Sequence, residues 1–579
     1  MLVSDAVAAV LADFGADTVF GVVGSGNFHV TNALIARGAR FVAARHECGA
    51  ASMADGWARI SGRPGIVSVH QGPGLTNAMT AITEAAKSRT PLLVLAADVA
   101  ASAVRSNFRI DVAGLASGVD AVPVRLHSAD FAVDDTVRAY RTAVEDRRTV
   151  VLAMPLDVQA AECAVPPPEL LDVARAGAGR SATAGTRSAL TGSTRDRARG
   201  PGARARLLRE SVAADAPARL ADAIRQARRP VFIAGRGARN ARARVDLERL
   251  ADSCGALLAT SAAAKGLFRG NQWDLDISGG FASPLAAELI RGADLVVGWG
   301  CALNMWTMRH GVLVGPDTVV AQVDIEPEAL GAHRPVHLGV TGDVAEVARA
   351  VSAAWGEEAV PGYRNEELRK RIKEQVRWRD VPYEDESDGR RIDPRTLTIA
   401  LDDILPPERI VAVDSGNFMG FPSMYLSVPD SDGFCFTQAY QSIGLGLASA
   451  IGSAVARPDR LVVAALGDGG ALMGISELET AVRLGLPMVI VVYDDEAYGA
   501  EVHHFGPDGH PLDTVRFPPV NIAKIARGFG CAAAKVRQVS DLSTVKEWLD
   551  GPRDSPILID AKITSEHGSW WLEEAFRGH

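Results

Sequence analysis

Two runs of glycine and acidic residues stand where chemistry could be done. In Leu461-Val462-Val463-Ala464-Ala465-Leu466-Gly467-Asp468-Gly469-Gly470 a short apolar run ends in Gly-Asp-Gly, and a helix is expected to follow. A second apolar run, 488–493, delivers Asp494-Asp495 just ahead of Ala497-Tyr498-Gly499. Short apolar runs bounded by turn residues read as strands. Strands alternating with helices imply a parallel sheet covered on both faces. In such a sheet both strand ends lie on one edge, where ligands bind. Carboxylates from Asp468 and Asp495 can grip a hard cation there. Gly467, Gly469 and Gly470 let backbone N–H groups approach a phosphate at a helix N-terminus. Either half alone is equally a Gly-Asp-Gly turn or an acidic loop.

A second constellation lies far upstream. Ala44-Arg45-His46-Glu47 leads into Gly49-Ala50-Ala51-Ser52-Met53-Ala54-Asp55-Gly56-Trp57-Ala58-Arg59. Gly62-Arg63-Pro64-Gly65 and Gly72-Pro73-Gly74-Leu75-Thr76-Asn77 follow. On its own, Glu47 would serve as well to cap or salt-bridge the helix it starts.

Together the two constellations resemble the thiamine-diphosphate enzymes of the acetolactate synthase and benzoylformate decarboxylase kind. The resemblance covers nearly the whole chain outside one arginine-rich stretch, and it is specific to the superfamily rather than to a substrate. It implies thiamine diphosphate and a divalent metal, Mg²⁺. Asp468 and Asp495 would be side-chain ligands and Ala497 would give a backbone carbonyl. The family pattern has Asn-Asn where this chain has Asp494-Asp495. Aspartate keeps oxygen ligands but adds negative charge beside a diphosphate, which bears on metal preference. Glu47 falls on the family's activating glutamate. A carboxyl held against N1′ of the aminopyrimidine shifts that ring to its imino tautomer, whose nitrogen takes a proton from the thiazolium carbon. Burial that raises the carboxyl's pKa suits this shuttle.

The resemblance places further cofactor contacts. Gly72 and Asn77 flank the activating glutamate's segment. Asp414-Ser415-Gly416-Asn417 resembles a diphosphate-contacting turn, through Gly416 and Asn417. Gln441-Ser442-Ile443-Gly444 resembles the segment that bends the cofactor. Ile443 would be the wedge beneath it, its N–H and the carbonyl of Gln441 holding the aminopyrimidine; on chemistry alone Ile443 is as readily a core residue. Tyr498 and Gly499 complete the set. The family's site spans two subunits, so a homodimer or homotetramer is implied, with Glu47 from one chain and Asp468 from another.

The implied reaction is decarboxylation of a 2-oxo acid. Its acyl unit then passes to an acceptor carbonyl or leaves as an aldehyde, and polar groups at the reacting carbon decide which. Ser25 and His70 resemble active-site positions of benzoylformate decarboxylase, and Glu501 resembles the glutamate of pyruvate and indolepyruvate decarboxylases. Each has a plainer alternative: a turn serine, a satisfied core histidine, a helix-surface charge. The Gly72–Asn77 block looks more like acetolactate synthase, and acyl transfer is the leading reading. However, Ser106-Asn107-Phe108-Arg109-Ile110-Asp111 lacks the expected glutamine. The middle of the chain lacks the usual flavin-contacting pattern, so no tightly bound FAD is expected. A non-catalytic cofactor-binding protein is the distant alternative, opposed by Glu47.

These residues need a scaffold of three doubly wound, parallel-sheet α/β domains. The expected organisation is a pyrimidine-binding domain over 1–168, an Arg/Gly/Ala-rich linker over 169–217, a central domain over 218–355, a charged connection over 356–395 and a diphosphate- and metal-binding domain over 396–579. A helix capped by Ser4 or Asp5 should open the chain and run to Phe14. The tail Glu566-His567-Gly568-Ser569-Trp570-Trp571 is expected to close over the site, since exposed tryptophans on a mobile tail are otherwise hard to justify.

The 579 residues are too many for one core, and the net charge of -9 argues against broad nucleic-acid binding. Six scattered cysteines form no Cys-x-x-Cys pair, the N-terminus lacks a signal peptide's basic start, and no apolar run is long enough for a membrane span. A cytoplasmic location is therefore expected.

Overall fold

The computed structural model describes residues 1–164, 206–208 and 210–575. Among them, eighteen strands form three six-stranded sheets, every strand pairing parallel. The first sheet holds β1 (Thr18–Gly21), β2 (Arg40–Ala43), β3 (Gly65–Val69), β4 (Leu92–Asp98), β5 (Val122–Arg125) and β6 (Thr149–Pro155), in the order 2-1-3-4-6-5. The second holds β7 (Pro230–Ala234), β8 (Leu257–Thr260), β9 (Asp274–Ile277), β10 (Leu295–Trp299), β11 (Val319–Asp324) and β12 (Leu338–Thr341), in the order 12-11-10-7-8-9. The third holds β13 (Arg409–Val413), β14 (Phe434–Phe436), β15 (Leu461–Gly467), β16 (Met488–Asp494), β17 (Ala532–Val536) and β18 (Ile557–Lys562), in the order 14-13-15-16-18-17. The expected doubly wound α/β architecture is thus present three times. Its central strands are mainly apolar because helices cover both faces: β4 and β16 are buried from end to end.

The first and third sheets share one hydrophobic core, which runs from Phe20 and Val42 through Ile451 to Val462 and Leu558. At its centre the helix Glu47–Ser61 lies against the helix Gly446–Ala456. Glycines permit the approach. A Cβ on Gly56 would lie 2.3 Å from the Ser449 carbonyl oxygen, and one on Gly452 would lie 1.9 Å from that of Met53. Arg59 completes the junction. It is ion-paired with Asp55 and Glu84 and donates to the carbonyl of Phe436 in the third sheet.

Several local expectations need correction. The first helix spans Val3–Asp13 and is capped by neither Ser4 nor Asp5. Leu2 pairs with Glu162, and the Val3 N–H donates to the Ala161 carbonyl, so the chain end is seated before any side-chain cap is needed. Of the linker, residues 169–205 and 209 lie outside the described residues, as does the boundary near Pro166–Pro168. Its final part is not linker-like: Leu207 is buried in the central domain's core. The 356–395 connection carries a helix, Glu366–Gln375, whose Leu368 and Ile372 join the same core. The tail tryptophans are docked rather than exposed. Trp571 is buried against Gly420, and Arg309 of the central domain stacks over Trp570. No helix among the described residues is long and apolar enough to cross a membrane.

Filling the helix contact should therefore be costly. Gly452→Val is expected to destabilise the protein by about 1–3 kcal/mol, the usual penalty for overpacking. Gly118→Ala, where a Cβ meets nothing within 4 Å, should be near neutral. Equal melting temperatures for the two variants would show that the close approach is not required.

Candidate cofactor site

The carboxyl edge of the third sheet gathers the metal-motif residues. Asp468 opens a short helix, Asp468–Met473, directly after β15, and Asp495 directly follows β16. These strands are hydrogen-bonded neighbours, so their acids emerge side by side. Asp468 is buried. Burial pushes its carboxyl above the usual range; the charge of Asp495, and then that of Asp494, pushes it further. Burial also raises Asp495, against the N–H of Ala497, which favours its charged form. No cation pairs with either acid among the described residues.

Glycines shape the floor. A Cβ on Gly499 would lie 2.3 Å from Asp495 Oδ2 and 3.0 Å from Asn417 Nδ2. One on Gly469 would lie 2.6 Å from the ring of Tyr498, and one on Gly467 would lie 3.1 Å from that of Phe418. A Cβ on Gly470 would strike Asp414 Oδ2 at 2.3 Å. Asp414 is a residue that the motifs left unassigned. Buried at the end of β13, its carboxylate accepts from the N–H groups of Gly444, Leu445 and Gly446, and burial lifts it to about 6. It thereby ties β13 to the Gln441–Gly444 bend. Within that bend Gln441 and Gly444 take left-handed φ of 62° and 90°. Ile443 is half-exposed and absent from every apolar core cluster among the described residues, so it is not the core isoleucine that chemistry alone allowed.

Three features fit a divalent cation that carries a diphosphate. Neither Asp468 nor Asp495 is in an ion pair among the described residues. The side-chain Oδ1 of Asn417, beside Gly416 (φ 135°), is buried without a partner. The carbonyl of Ala497 accepts no hydrogen bond among the described residues. No three acidic, histidine or cysteine side chains there converge on an ion by themselves, so two carboxylates would need oxygens from elsewhere to fill the shell. Asp494 faces the other way: it is buried and ion-paired with Lys562.

The second constellation gathers at the carboxyl edge of the first sheet. Glu47 opens its helix but neither caps nor salt-bridges it; His46 Nδ1 accepts from the Cys48 N–H in the capping role. The Glu47 carboxylate instead accepts from Asn77 Nδ2 at 3.0 Å. Gly72, with φ 64°, turns the chain into Asn77's helix and leaves no room for a Cβ, which would lie 2.8 Å from the Phe108 carbonyl oxygen. His70 follows β3. Its Nδ1 accepts from the Gly26 N–H at 3.1 Å, and Phe108 meets the ring edge-on at 5.3 Å. The same turn leaves Ser25 exposed, its hydroxyl without a hydrogen bond among the described residues. Asn27, which motif reading missed, fixes this turn: buried, it accepts from the Gly24 N–H and donates to the Val22 carbonyl and to Ser68. The Gly24–Asn27 stretch was the only signal for it. Ser25, His70, Glu47 and Asn77 thus share one edge. Glu501 sits apart from them, half-buried on the helix Gly499–Phe505 beside Asp495, with no side-chain partner among the described residues.

Family models match in three successive pieces. They are the thiamine pyrophosphate enzyme N-terminal TPP binding domain over residues 1–117, the central domain over 218–351 and the C-terminal TPP binding domain over 414–561. The chain belongs to the thiamine pyrophosphate enzymes. A sulfoacetaldehyde acetyltransferase of Rhodobacter capsulatus is 27% identical, over 99% of this chain and 96% of its own. A probable 2-ketoarginine decarboxylase of Pseudomonas aeruginosa is 29% identical, over 94% and 90%. The solved thiamine diphosphate-dependent 4-hydroxybenzoylformate decarboxylase of Rhodococcus jostii RHA1 shares the fold, with a TM-score of 0.77, 22% identity, and coverage of 98% of this chain and 100% of that one.

Within this thiamine pyrophosphate enzyme the tail braces the site from behind. Trp571 Nε1 and Ser569 Oγ both donate to the Asn417 carbonyl. The raised carboxyls also set a pH dependence. In the folded, cation-free chain Asp414, Asp468 and Asp495 hold protons that the unfolded chain has released. Stability should therefore fall as pH rises through the carboxylate range towards neutrality. The melting temperature of cation-free enzyme is expected to be lower at about pH 8 than at about pH 6, and Mg²⁺ with thiamine diphosphate should raise it more at the higher pH. Stabilisation by the pair that is equal at both pH values would contradict the charge balance described.

Proposed function

We propose that this thiamine pyrophosphate enzyme decarboxylates a 2-oxo acid and transfers the acyl unit to an acceptor carbonyl. The observation that carries the reading is Glu47, an acid relieved of helix capping and salt-bridging and held by a single neutral donor, Asn77. Both whole-length relatives bear names of this chemistry, one an acetyltransferase and one a decarboxylase. When bound, thiamine diphosphate supplies the carbon nucleophile and the electron sink. Asp468, Asp495 and the Ala497 carbonyl would hold Mg²⁺ at its diphosphate, with Gly467, Gly469, Gly470, Gly416 and Asn417 around the phosphates. Gln441 and Ile443 would hold and bend it. Glu47 holds and releases a proton at its carboxyl oxygen, and Asn77 fixes which way that oxygen faces. His70 accepts at Nδ1, so a neutral ring carries its proton on Nε2, free to donate. Ser25 offers a second hydroxyl on the same side.

The second reading is aldehyde release without an acceptor. It is favoured by Glu501, whose half-buried, unpartnered carboxyl could deliver a proton. Pyruvate and an aryl-glyoxylate, each supplied with and without an acceptor aldehyde, separate the two. Acetolactate or an acyloin supports transfer, whereas aldehyde as sole product supports simple decarboxylation. Glu47→Gln is expected to lower turnover by about 10²–10⁴-fold, the span of general acid–base contributions, while thiamine diphosphate still binds. Undiminished turnover in that variant would remove Glu47 from the chemistry.

A second copy of the chain is proposed to complete the site. Within one chain Glu47 shares no hydrogen bond or ion pair with Asp468 or Asp495 among the described residues. If Glu47 works with the partner's metal site, Glu47→Gln and Asp468→Asn enzymes, each inert, should regain roughly a quarter of wild-type activity once their subunits are mixed, because half of the dimers carry one intact site of two. Mixed subunits that stay inert would place both residues in one chain's site.

A further inference from the structure

Two adjacent aspartates leave β16 and meet opposite surroundings. Asp495 faces the edge of the sheet beside Asp468. Asp494 lies inside, in register with Lys562 on β18. The Lys562 ammonium is ion-paired with Asp494, stands 3.3 Å from Asp560 Oδ1 and 3.8 Å from Glu496 Oε1, and donates to the Val520 carbonyl at 3.0 Å. The side chains of Lys562, Asp494 and Asp560 are 5%, 2% and 0% exposed, so water screens this cluster little. Arg391 pairs with Glu496 at 2.6 Å and donates to the Ile563 carbonyl, closing the cluster from the solvent side. Asp494 Oδ1 accepts from the Glu496 N–H, so the carboxylate also shapes the loop on which Asp495 sits.

We infer that Lys562 is the residue that sets the charge of the cation site, by engaging Asp494 so that Asp468 and Asp495 alone face the cation. A divalent ion then balances the two carboxylates that face it. Without the ammonium, the charge of Asp494 would act on those two carboxylates unopposed. Three acids would attract a bare cation more strongly and repel the diphosphate. The chain can thus carry Asp-Asp at this position because a lysine stands at the matching position of the neighbouring strand. This inference rests on the reading that Asp468 and Asp495 hold the cation.

The test uses the full-length enzyme, titrated calorimetrically with Mn²⁺ alone and then with thiamine diphosphate at saturating Mn²⁺. The variants are Lys562→Gln, which keeps N–H donors for Asp560 and Val520, and the pair Asp494→Asn/Lys562→Gln. Lys562→Gln is expected to bind thiamine diphosphate about tenfold or more weakly, because an unopposed like charge then faces the diphosphate, while binding Mn²⁺ alone at least as tightly as wild type. A purely structural loosening would weaken both. The paired variant, neutral at both positions, should return thiamine diphosphate affinity to within about threefold of wild type, since the two changes touch one interaction. Wild-type thiamine diphosphate affinity in Lys562→Gln overturns the inference. So does weakened Mn²⁺ binding there, or a paired variant that does not fold or binds no better than Lys562→Gln. Asp468→Asn separates the two levels. If it leaves Mn²⁺ binding unchanged, the cation-site reading itself fails; if it weakens Mn²⁺ binding while Lys562→Gln leaves thiamine diphosphate affinity alone, only the role of Lys562 fails.

Discussion

The first and third domains are joined by a helix contact so close that it requires glycine on both sides, Gly56 against Ser449 and Gly452 against Met53. Everything proposed for the site depends on that contact, because it seats buried carboxylates of one domain under backbone of the other. Glu477, from the third domain, accepts from the N–H groups of Arg45 and His46, immediately ahead of Glu47. Glu84, from the first domain, accepts from those of Ala439 and Tyr440, immediately ahead of Gln441. A buried carboxylate without partners is costly. Here backbone donors and, for Glu84, Arg59 meet that cost. Each domain thereby holds in place the segment that leads into the other's candidate residues.

The same rule of partners explains two neighbours with different fates. Asp494 and Asp495 have the same chemistry and adjoin in sequence. Asp494 has an ammonium across the strand and is ion-paired with it. Asp495 accepts from the Ala497 N–H and shares its edge with Asp468, and desolvation holds both of these acids towards their protonated forms. Two adjoining acids, neither in an ion pair among the described residues, form a site that a cation would fill. The worry raised by Asp-Asp in place of Asn-Asn, surplus charge beside a diphosphate, thus applies to one residue fewer than sequence implies.

What could be read from sequence follows from which information is local. The central strands β3, β4, β15 and β16 were legible because burial on both faces makes them mainly apolar. Two edge strands were not. β14 has three residues, and β5, Val122–Arg125, alternates with partial exposure and contains Pro123. The metal motif, Glu47 and the glycine turns were legible because their spacing alone constrains them. The roles of Asp414 and Lys562 were hidden, since each acts on chain distant in sequence or adjacent only through strand register, as was the bond from Asn27 to Ser68. The tail's partners were hidden for a related reason: Trp571 meets Gly420 and the Asn417 carbonyl, well over a hundred residues earlier.

The two ends of the proposed site place opposite demands on whatever lies between them. At the third sheet the deficit is positive charge, at buried oxygens that repel each other. At the first sheet Glu47 is half-buried and its carboxylate accepts from one neutral donor, Asn77. A carboxylate so held keeps acceptor capacity for a neutral nitrogen group. A ligand with a cation-bound anionic group at one end and a neutral nitrogen ring at the other meets both demands, and a ligand charged throughout meets only one. The chemistry of the two edges therefore narrows the bound group before any substrate is considered. His70, Ser25 and Glu501 are the residues proposed to decide the fate of the acyl unit.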